Sequence, residues 1–365
     1  HDDFFWLTNY LETIMSSMLW MPSTSATLAL EYRKILEKSC EETGGIKELV
    51  PFLGHDFSMR GMTGMDSSAR SGAGHLLSFV GTDTIPAIQY LERYYNANVE
   101  KELVGCSVSA TEHSVMCAMG QDELKAFKRL VTEVYPSGII SIVSDTWDLW
   151  SIMKNILPKL KDEILNRSGA PINKVVIRPD SGDPVKIICG DTEADDPFVR
   201  KGVVECLWDI FGGTTNDKGY RQLDGHIGAI YGDAITRERC QAICDQLKAK
   251  KFTSTNVVFG IGSYTYQYNT RDTFGFALKS THVVIDDKGI NIFKDPKTDD
   301  GLKKSQKGRV IVFNNDKDKL VYEDQHSINE VLENEENLLE LVYEDGKLYR
   351  DETLEEIRGR VLSNI

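Results

Sequence analysis

No apolar run in this 365-residue chain approaches the roughly 18 residues that a membrane-crossing helix requires, and its first residues show no basic stretch followed by an apolar core. Neither a membrane span nor a secretory leader is expected, and the predicted compartment is the cytoplasm. Cysteine is sparse and unpatterned. The seven, at positions 40, 106, 117, 189, 206, 240 and 244, are odd in number and lack metal-binding spacing, so reduced thiols are expected rather than a disulfide framework or a zinc site. Positive charge is in deficit, with 42 Lys and Arg against 56 Asp and Glu and a formal net charge of -14. Such a field repels polyanions, which excludes a nonspecific nucleic-acid or anionic-membrane surface and requires any anionic ligand to be drawn in by a local basic pocket. With 41% hydrophobic and 27% charged residues, the chain has the composition and length of a soluble globular protein with a large core and a second, smaller domain.

What is present is organised around Val175-Val176-Ile177-Arg178-Pro179-Asp180-Ser181-Gly182-Asp183-Pro184. Three β-branched residues suit a strand buried on both faces, and the charged turn that follows stops it abruptly. The same pattern recurs at Pro51 to Gly61, Leu76 to Thr84, Leu103 to Ser114, Ile139 to Asp145, His226 to Asp233 and Val257 to Ser263, mostly followed by amphipathic helix. Strands alternating with helices imply parallel crossovers, and this many in succession favour an α/β fold of the βα-barrel type over an open sheet. The barrel is placed at residues 46–264. Residues 1–45 read as two helices, one carrying Phe4, Leu7, Leu11, Ile14 and Met18 on one face and one from Ser23 to Cys40. Residues 265–365 change to antiparallel strands and a last helix, so a second α+β domain built from both chain ends is expected.

Barrels of this kind carry their chemistry at the carboxyl ends of the strands, which here hold Arg60, Asp83, Ser107, His113, Ser144, Asp145, Asp148, Arg178, Asp180 and Asp233, with open backbone amides from Gly260 to Ser263. Arginines with lysines suit phosphate groups, and acids suit sugar hydroxyls or a magnesium ion, so phosphosugar chemistry is the natural reading.

Six ordered motifs make this specific: Ser109-Ala110-Thr111-Glu112-His113-Ser114, Val143-Ser144-Asp145-Thr146-Trp147-Asp148, Ile177-Arg178-Pro179-Asp180-Ser181-Gly182, Tyr231-Gly232-Asp233, Thr270-Arg271-Asp272 and Asn291-Ile292-Phe293-Lys294-Asp295-Pro296. Along nearly the whole chain this resembles the nicotinamide phosphoribosyltransferase family, of the type II phosphoribosyltransferases. The resemblance implies that phosphoribosyl passes from phosphoribosyl pyrophosphate to nicotinamide, giving nicotinamide mononucleotide and pyrophosphate, in a homodimer with shared active sites, Mg²⁺, and ATP as co-substrate. It makes Phe57 a ring stacked on nicotinamide, Arg60 a neighbour of base and phosphate, and Asp83 the acceptor of the amide NH₂. Ser107, Ser144 and Arg178 fall along the same tunnel. Asp180, Gly232 and Asp233 would hold the ribose and its phosphate with Gly262 and Ser263; Arg271, Lys279, Lys294 and Lys303 would neutralise pyrophosphate. His113 matches the histidine that the family phosphorylates with ATP, with Asp148 orienting its ring and Glu112 beside it. The family also has a further segment before the point where His1 stands, so an upstream segment is expected. Two readings compete within enzymes. One is the acid-using nicotinate phosphoribosyltransferase; the other, a Schiff-base aldolase, is disfavoured because no barrel strand end carries a lysine. A nucleotide-binding remnant without turnover is the non-enzymatic alternative.

Overall fold

A computed structural model of the chain describes residues 2–232, 234–298, 304–363 and 365. These residues divide into two compact units, one of His1–Trp20 with Phe274–Glu352, the other of Met21–Thr273 with Thr353–Ile365. The expected break between two N-terminal helices is not there. A single helix α1, Leu7–Thr43, runs through Pro22. Only from Thr24 onward does it carry buried residues, among them Leu28, Tyr32 and Leu36, which is why the division falls inside it.

The larger unit contains β1 (Gly54–Asp56), helix α2 (Met65–His75), β2 (Gly81–Thr82), α3 (Ile85–Tyr94), β3 (Ser109–Ala110), α4 (His113–Ala118), β4 (Ile139–Val143), β5 (Lys174–Arg178), a hairpin of β6 (Gly213–Thr215) with β7 (Arg221–Leu223), β8 (Ile227–Tyr231) and β9 (Val257–Ile261). Seven of the strands form one half-barrel sheet in the order β2-β1-β9-β8-β5-β4-β3, parallel throughout. Its two ends are linked by an isolated parallel bridge between Gly81 and Cys106. Strands β4, β5 and β8 are buried along nearly their whole length, as expected for parallel strands covered on both faces. Register then aligns the strand ends: Val143 lies opposite Arg178, and the Ser144 N–H donates to the Arg178 carbonyl at 3.0 Å.

Differences from expectation cluster where few residues carry the pattern. The runs ending in Thr82 and Ala110 reduce to strands of two residues each. Helices Pro197–Lys201 and Val203–Phe211 are separated by Gly202, whose φ of +79 is left-handed and where a Cβ would stand 2.3 Å from the Gly190 nitrogen. The smaller unit holds three antiparallel hairpins, His282–Ile285 with Lys288–Asn291, Arg309–Asn314 with Leu320–His326, and Tyr343–Glu344 with Lys347–Leu348. The strand expected at 273–279 is not formed. No described helix is long and apolar enough to cross a membrane.

One buried polar contact ties helix α2 to the sheet. His75 is fully buried; its Nε2 faces the Gly81 carbonyl at 3.0 Å and its Nδ1 the Tyr266 hydroxyl at 2.7 Å. A carbonyl only accepts, so Nε2 carries the proton and Nδ1 accepts from Tyr266, which assigns a neutral ring. Burial pushes the His75 pKa below its ordinary 6.5, against the pull of the buried Asp56. The unfolded chain therefore takes up a proton that the native ring refuses, and stability present above about pH 6.5 drains away as pH falls toward the depressed native value. Urea melts at about pH 7.5 and 5.5 are expected to show a smaller acid loss of stability for His75→Gln than for the parent.

Candidate active site

Strand β5 ends by burying a cation. The Arg178 side chain is 6% exposed, its Nη2 is 3.3 Å from Asp180 Oδ2 and 3.5 Å from Glu112 Oε1, and its guanidinium lies 5.8 Å from the centre of the Phe57 ring. The neighbouring strand end holds this loop in place: Asp145, just past β4, accepts through Oδ2 from the N–H groups of Asp180 and Ser181, both at 2.8 Å, and from the Ser181 hydroxyl at 2.6 Å. Burial raises the Asp180 pKa; Arg178 opposes the shift and the Asp145 carboxylate adds to it. Asp145 Oδ1, Asp180 Oδ1 and Arg178 Nε are buried and, among the described residues, have no hydrogen-bond partner. Buried polar atoms without partners are costly, so three at one mouth mark atoms aimed at a ligand. Gly232 is required beside them, because a Cβ there would stand 1.9 Å from Asp180 Oδ1.

The opposite wall is built on β1 and β2. Asp83 follows β2 and accepts through Oδ1 from the Ser107 hydroxyl at 2.5 Å, with His55 Nε2 at 3.0 Å. Burial pushes its pKa up, but the His55 and Ser107 contacts and the charge of Arg178 outweigh that and leave it below the ordinary value of 3.8. Asp83 does not cap the helix it precedes: the Thr84 N–H is taken by the Thr82 hydroxyl. The His55 and Phe57 rings pack 4.5 Å apart. Between the walls lies a cleft of about 440 Å³ lined by Phe57, Arg60, Asp83, Glu112, Arg178 and Gly232, with Met59, Gly64, Met65 and Ser68. The cleft thus offers a carboxylate, an aromatic face and two arginines, with Asp180 beside Arg178.

His113, the first residue of α4, places Nε2 3.8 Å from Asp145 Oδ1 and 3.7 Å from Asp180 Oδ2, with Nδ1 3.1 Å from the Thr146 hydroxyl. Asp148 does not meet that ring; its Oδ1 accepts from the Trp150 and Ser151 N–H groups and caps the helix Leu149–Ser151. The acids beside His113 are Asp145, which the same motif contains, and Asp180. Ser144 is fully buried and turns its hydroxyl back to the Ile142 carbonyl at 2.7 Å. Gly262 and Ser263 open the short helix after β9, and a Cβ on Gly61 would meet Ser263 Oγ at 2.1 Å, which sets that turn against the one bearing Arg60. Arg271 is exposed and paired with Asp272. Lys279 and Lys294 are exposed residues of the other unit. Asp233 and Lys303 lie outside the described residues. The residue that sequence reasoning missed is His55; its signal was the Gly54-His55-Asp56-Phe57 strand end, which put an ionisable ring one strand away from Asp83.

Among the described residues no group of three metal-type ligands gathers. The site offers a divalent cation Asp145 Oδ1 and Asp180 Oδ1. Magnesium keeps several waters and takes one or two carboxylates together with substrate phosphates, so that donor set fits it.

A parallel half-barrel with paired acids and a buried arginine at its strand ends is the framework of a phosphosugar-handling transferase. The model of the nicotinate phosphoribosyltransferase (NAPRTase) family matches residues 52–343, and the chain belongs to that family. More particularly, it is 51% identical over 368 residues to the nicotinamide phosphoribosyltransferase of Acinetobacter baylyi, covering 100% of this chain and 71% of that protein. Nicotinamide phosphoribosyltransferases of Mycoplasma pneumoniae and Xanthomonas campestris pv. campestris are 40% and 34% identical, over 80% and 97% of this chain; the chain spans 61% and 72% of their lengths. In structure it is similar to the nicotinate-nucleotide pyrophosphorylase from Pyrococcus furiosus, with a TM-score of 0.53 and 15% identity over 94% of this chain and 70% of that one, which supports the fold alone. The close approach at Gly232 gives a direct check. Gly232→Ala must displace the Asp180 carboxylate, and initial rates are expected to fall about a hundredfold, with a thermal melt close to that of the parent.

Proposed function

We propose that the chain transfers phosphoribosyl from phosphoribosyl pyrophosphate to nicotinamide, releasing pyrophosphate and forming nicotinamide mononucleotide for NAD salvage. The observation that carries this reading is Asp83, kept charged by His55, Ser107 and Arg178, in a cleft that also presents Phe57, Arg60 and Arg178. Breaking the bond between ribose C1 and pyrophosphate builds positive charge on the sugar and negative charge on the leaving group. Asp180, with Asp145 behind it, supplies negative charge beside the sugar, while Arg60 neighbours base and phosphate and Arg178 lies along the nicotinamide tunnel. Phe57 offers its ring to the flat base, and Asp83 accepts from the amide NH₂. Mg²⁺, held by Asp145 and Asp180 with phosphate oxygens, would neutralise the leaving pyrophosphate. Gly232, Gly262 and Ser263 would serve the phosphate, the role that the resemblance also gives Asp233.

The finer reading of the fold is a type II barrel, supported by the Gly81–Cys106 bridge between the sheet ends. A homodimer would place Arg271 and Lys279 of one subunit, with Lys294 and Lys303, near the pyrophosphate of a shared site. ATP enters through His113, whose ring stands between Thr146 and the carboxylates of Asp145 and Asp180; Glu112 lies beside Arg178. Synthesis does not need that ring for bond formation. Replacing it with alanine is expected to abolish ATP stimulation and acid-labile phosphorylation while slow ATP-independent synthesis continues; full stimulation in His113→Ala would remove the assignment.

Nicotinate is the competing base, favoured by the name of the family. A carboxylate on the base would face Asp83 with no proton to donate. At about 4 Å two like charges repel by roughly 4 kcal/mol at an effective dielectric of about 20, more than one neutral hydrogen bond contributes. Preference for nicotinamide by about a hundredfold or more in kcat/KM follows, with Asp83→Asn eroding it by admitting nicotinate. Mononucleotide formation from each base, measured in parent and variant, checks this. A ratio unmoved by the substitution would mean that Asp83 does not read the base.

A further inference from the structure

The sheet has a seam. Strands β2 and β3 are its two ends, and the chain just before β3 pairs with β2 through the Gly81–Cys106 bridge, with Thr82 N–H to Cys106 O at 2.9 Å and Cys106 N–H to Val80 O at 2.7 Å. Asp83 stands one residue beyond one side of this seam and Ser107 one residue beyond the other, and their side chains are hydrogen-bonded across it. Any change in the spacing of the two segments therefore moves the Ser107 hydroxyl relative to the carboxylate.

A residue far away in sequence holds that spacing. Helix Leu354–Leu362 belongs to the same unit and carries Arg358, whose guanidinium is largely buried. Its Nε donates to the Leu76 carbonyl at 2.7 Å on the β2 side; Nη1 and Nη2 donate to the carbonyls of Leu103 and Val104 at 3.0 and 2.6 Å on the β3 side. Leu354 is fully buried with Leu76 and Val104, and its N–H donates to the Tyr95 carbonyl at 2.8 Å. A planar guanidinium presents its donors at fixed angles, so one group bonded to both segments fixes their separation; a lysine ammonium cannot reproduce that fork. No residue of this helix lines the cleft.

We propose that Arg358 is a positioning residue for base recognition: by clasping the two segments of the seam, it sets the geometry of the Asp83–Ser107 pair that receives the base. The inference rests on the reading of Asp83 given above. Arg358→Met, Arg358→Lys, Asp83→Asn and the Arg358→Met/Asp83→Asn double variant are assayed for kcat and KM with nicotinamide, nicotinate and phosphoribosyl pyrophosphate. Arg358→Met is expected to raise the nicotinamide KM about tenfold, the scale of one lost hydrogen bond, with kcat and the phosphoribosyl pyrophosphate KM within about twofold of the parent. Arg358→Lys should recover part of that loss, and in the double variant the arginine substitution should add nothing to base selectivity, since coupled residues are non-additive. An unchanged nicotinamide KM in folded Arg358→Met, or an equal rise in both KM values, overturns the proposal while leaving Asp83 in place. An unchanged base ratio in Asp83→Asn overturns the reading of Asp83 and the clasp with it. If Arg358→Met does not fold, Arg358→Lys carries the same comparison, with the same KM outcomes deciding it.

Discussion

A cation brought into a protein interior must be compensated where it lies, and the mouth of the half-barrel is arranged around that constraint at Arg178. Removing either partner of such a pair leaves a buried charge, so Arg178 and Asp180 stand or fall together, with the exposed Glu112 adding charge from the rim. Asp180 is in turn placed by Asp145, which spends one carboxylate oxygen on the backbone of the loop after β5 and keeps the other for the interior of the site. Register completes the chain of dependence. Because Val143 pairs with Arg178, the residues immediately after both strands arrive at the same height, and a one-residue slip would turn each side chain to the wrong face.

The two walls of the cleft solve opposite electrostatic problems. At the Arg178 end, burial and neighbouring negative charge make Asp180 harder to ionise. At Asp83, hydrogen-bond donors and the charge of Arg178 keep a carboxylate charged despite its burial. The two acids thus differ in character through their surroundings alone.

Much of this was legible in the sequence where an apolar run was long enough to declare its period. Ile139–Val143, Lys174–Arg178, Ile227–Tyr231 and Val257–Ile261 are five-residue strands whose following residues carry the chemistry, and both the runs and their polar ends could be read directly. Strands of two residues, as at Gly81–Thr82 and Ser109–Ala110, contain no period to read; only the pairing with a neighbour makes them strands. The two N-terminal helices read from the sequence are one, Leu7–Thr43, whose burial from Thr24 onward holds it helical past Pro22. The choice between Asp145 and Asp148 as the acid near His113 turned on local competition. Asp148 stands just before a helix and is drawn to its free N–H groups, whereas Asp145 has no such demand and reaches across to the next strand.

The connectivity of the larger unit bears on how the chain is made. It leaves this unit at Thr273, passes through the whole of Phe274–Glu352, and returns at Thr353 to supply Leu354 and Arg358. A ribosome therefore delivers the strands of the half-barrel well before the helix that joins their outermost members, and the unit waits through the synthesis of another before its last contacts form. During that interval the carbonyls of Leu76, Leu103 and Val104 face water instead of a guanidinium, and two short strand ends are held by a single bridge. Late, long-range contacts of this sort are slow to close and leave edges open to other chains, so the nascent protein is at its most vulnerable to mispairing in the stretch just before its final helix emerges.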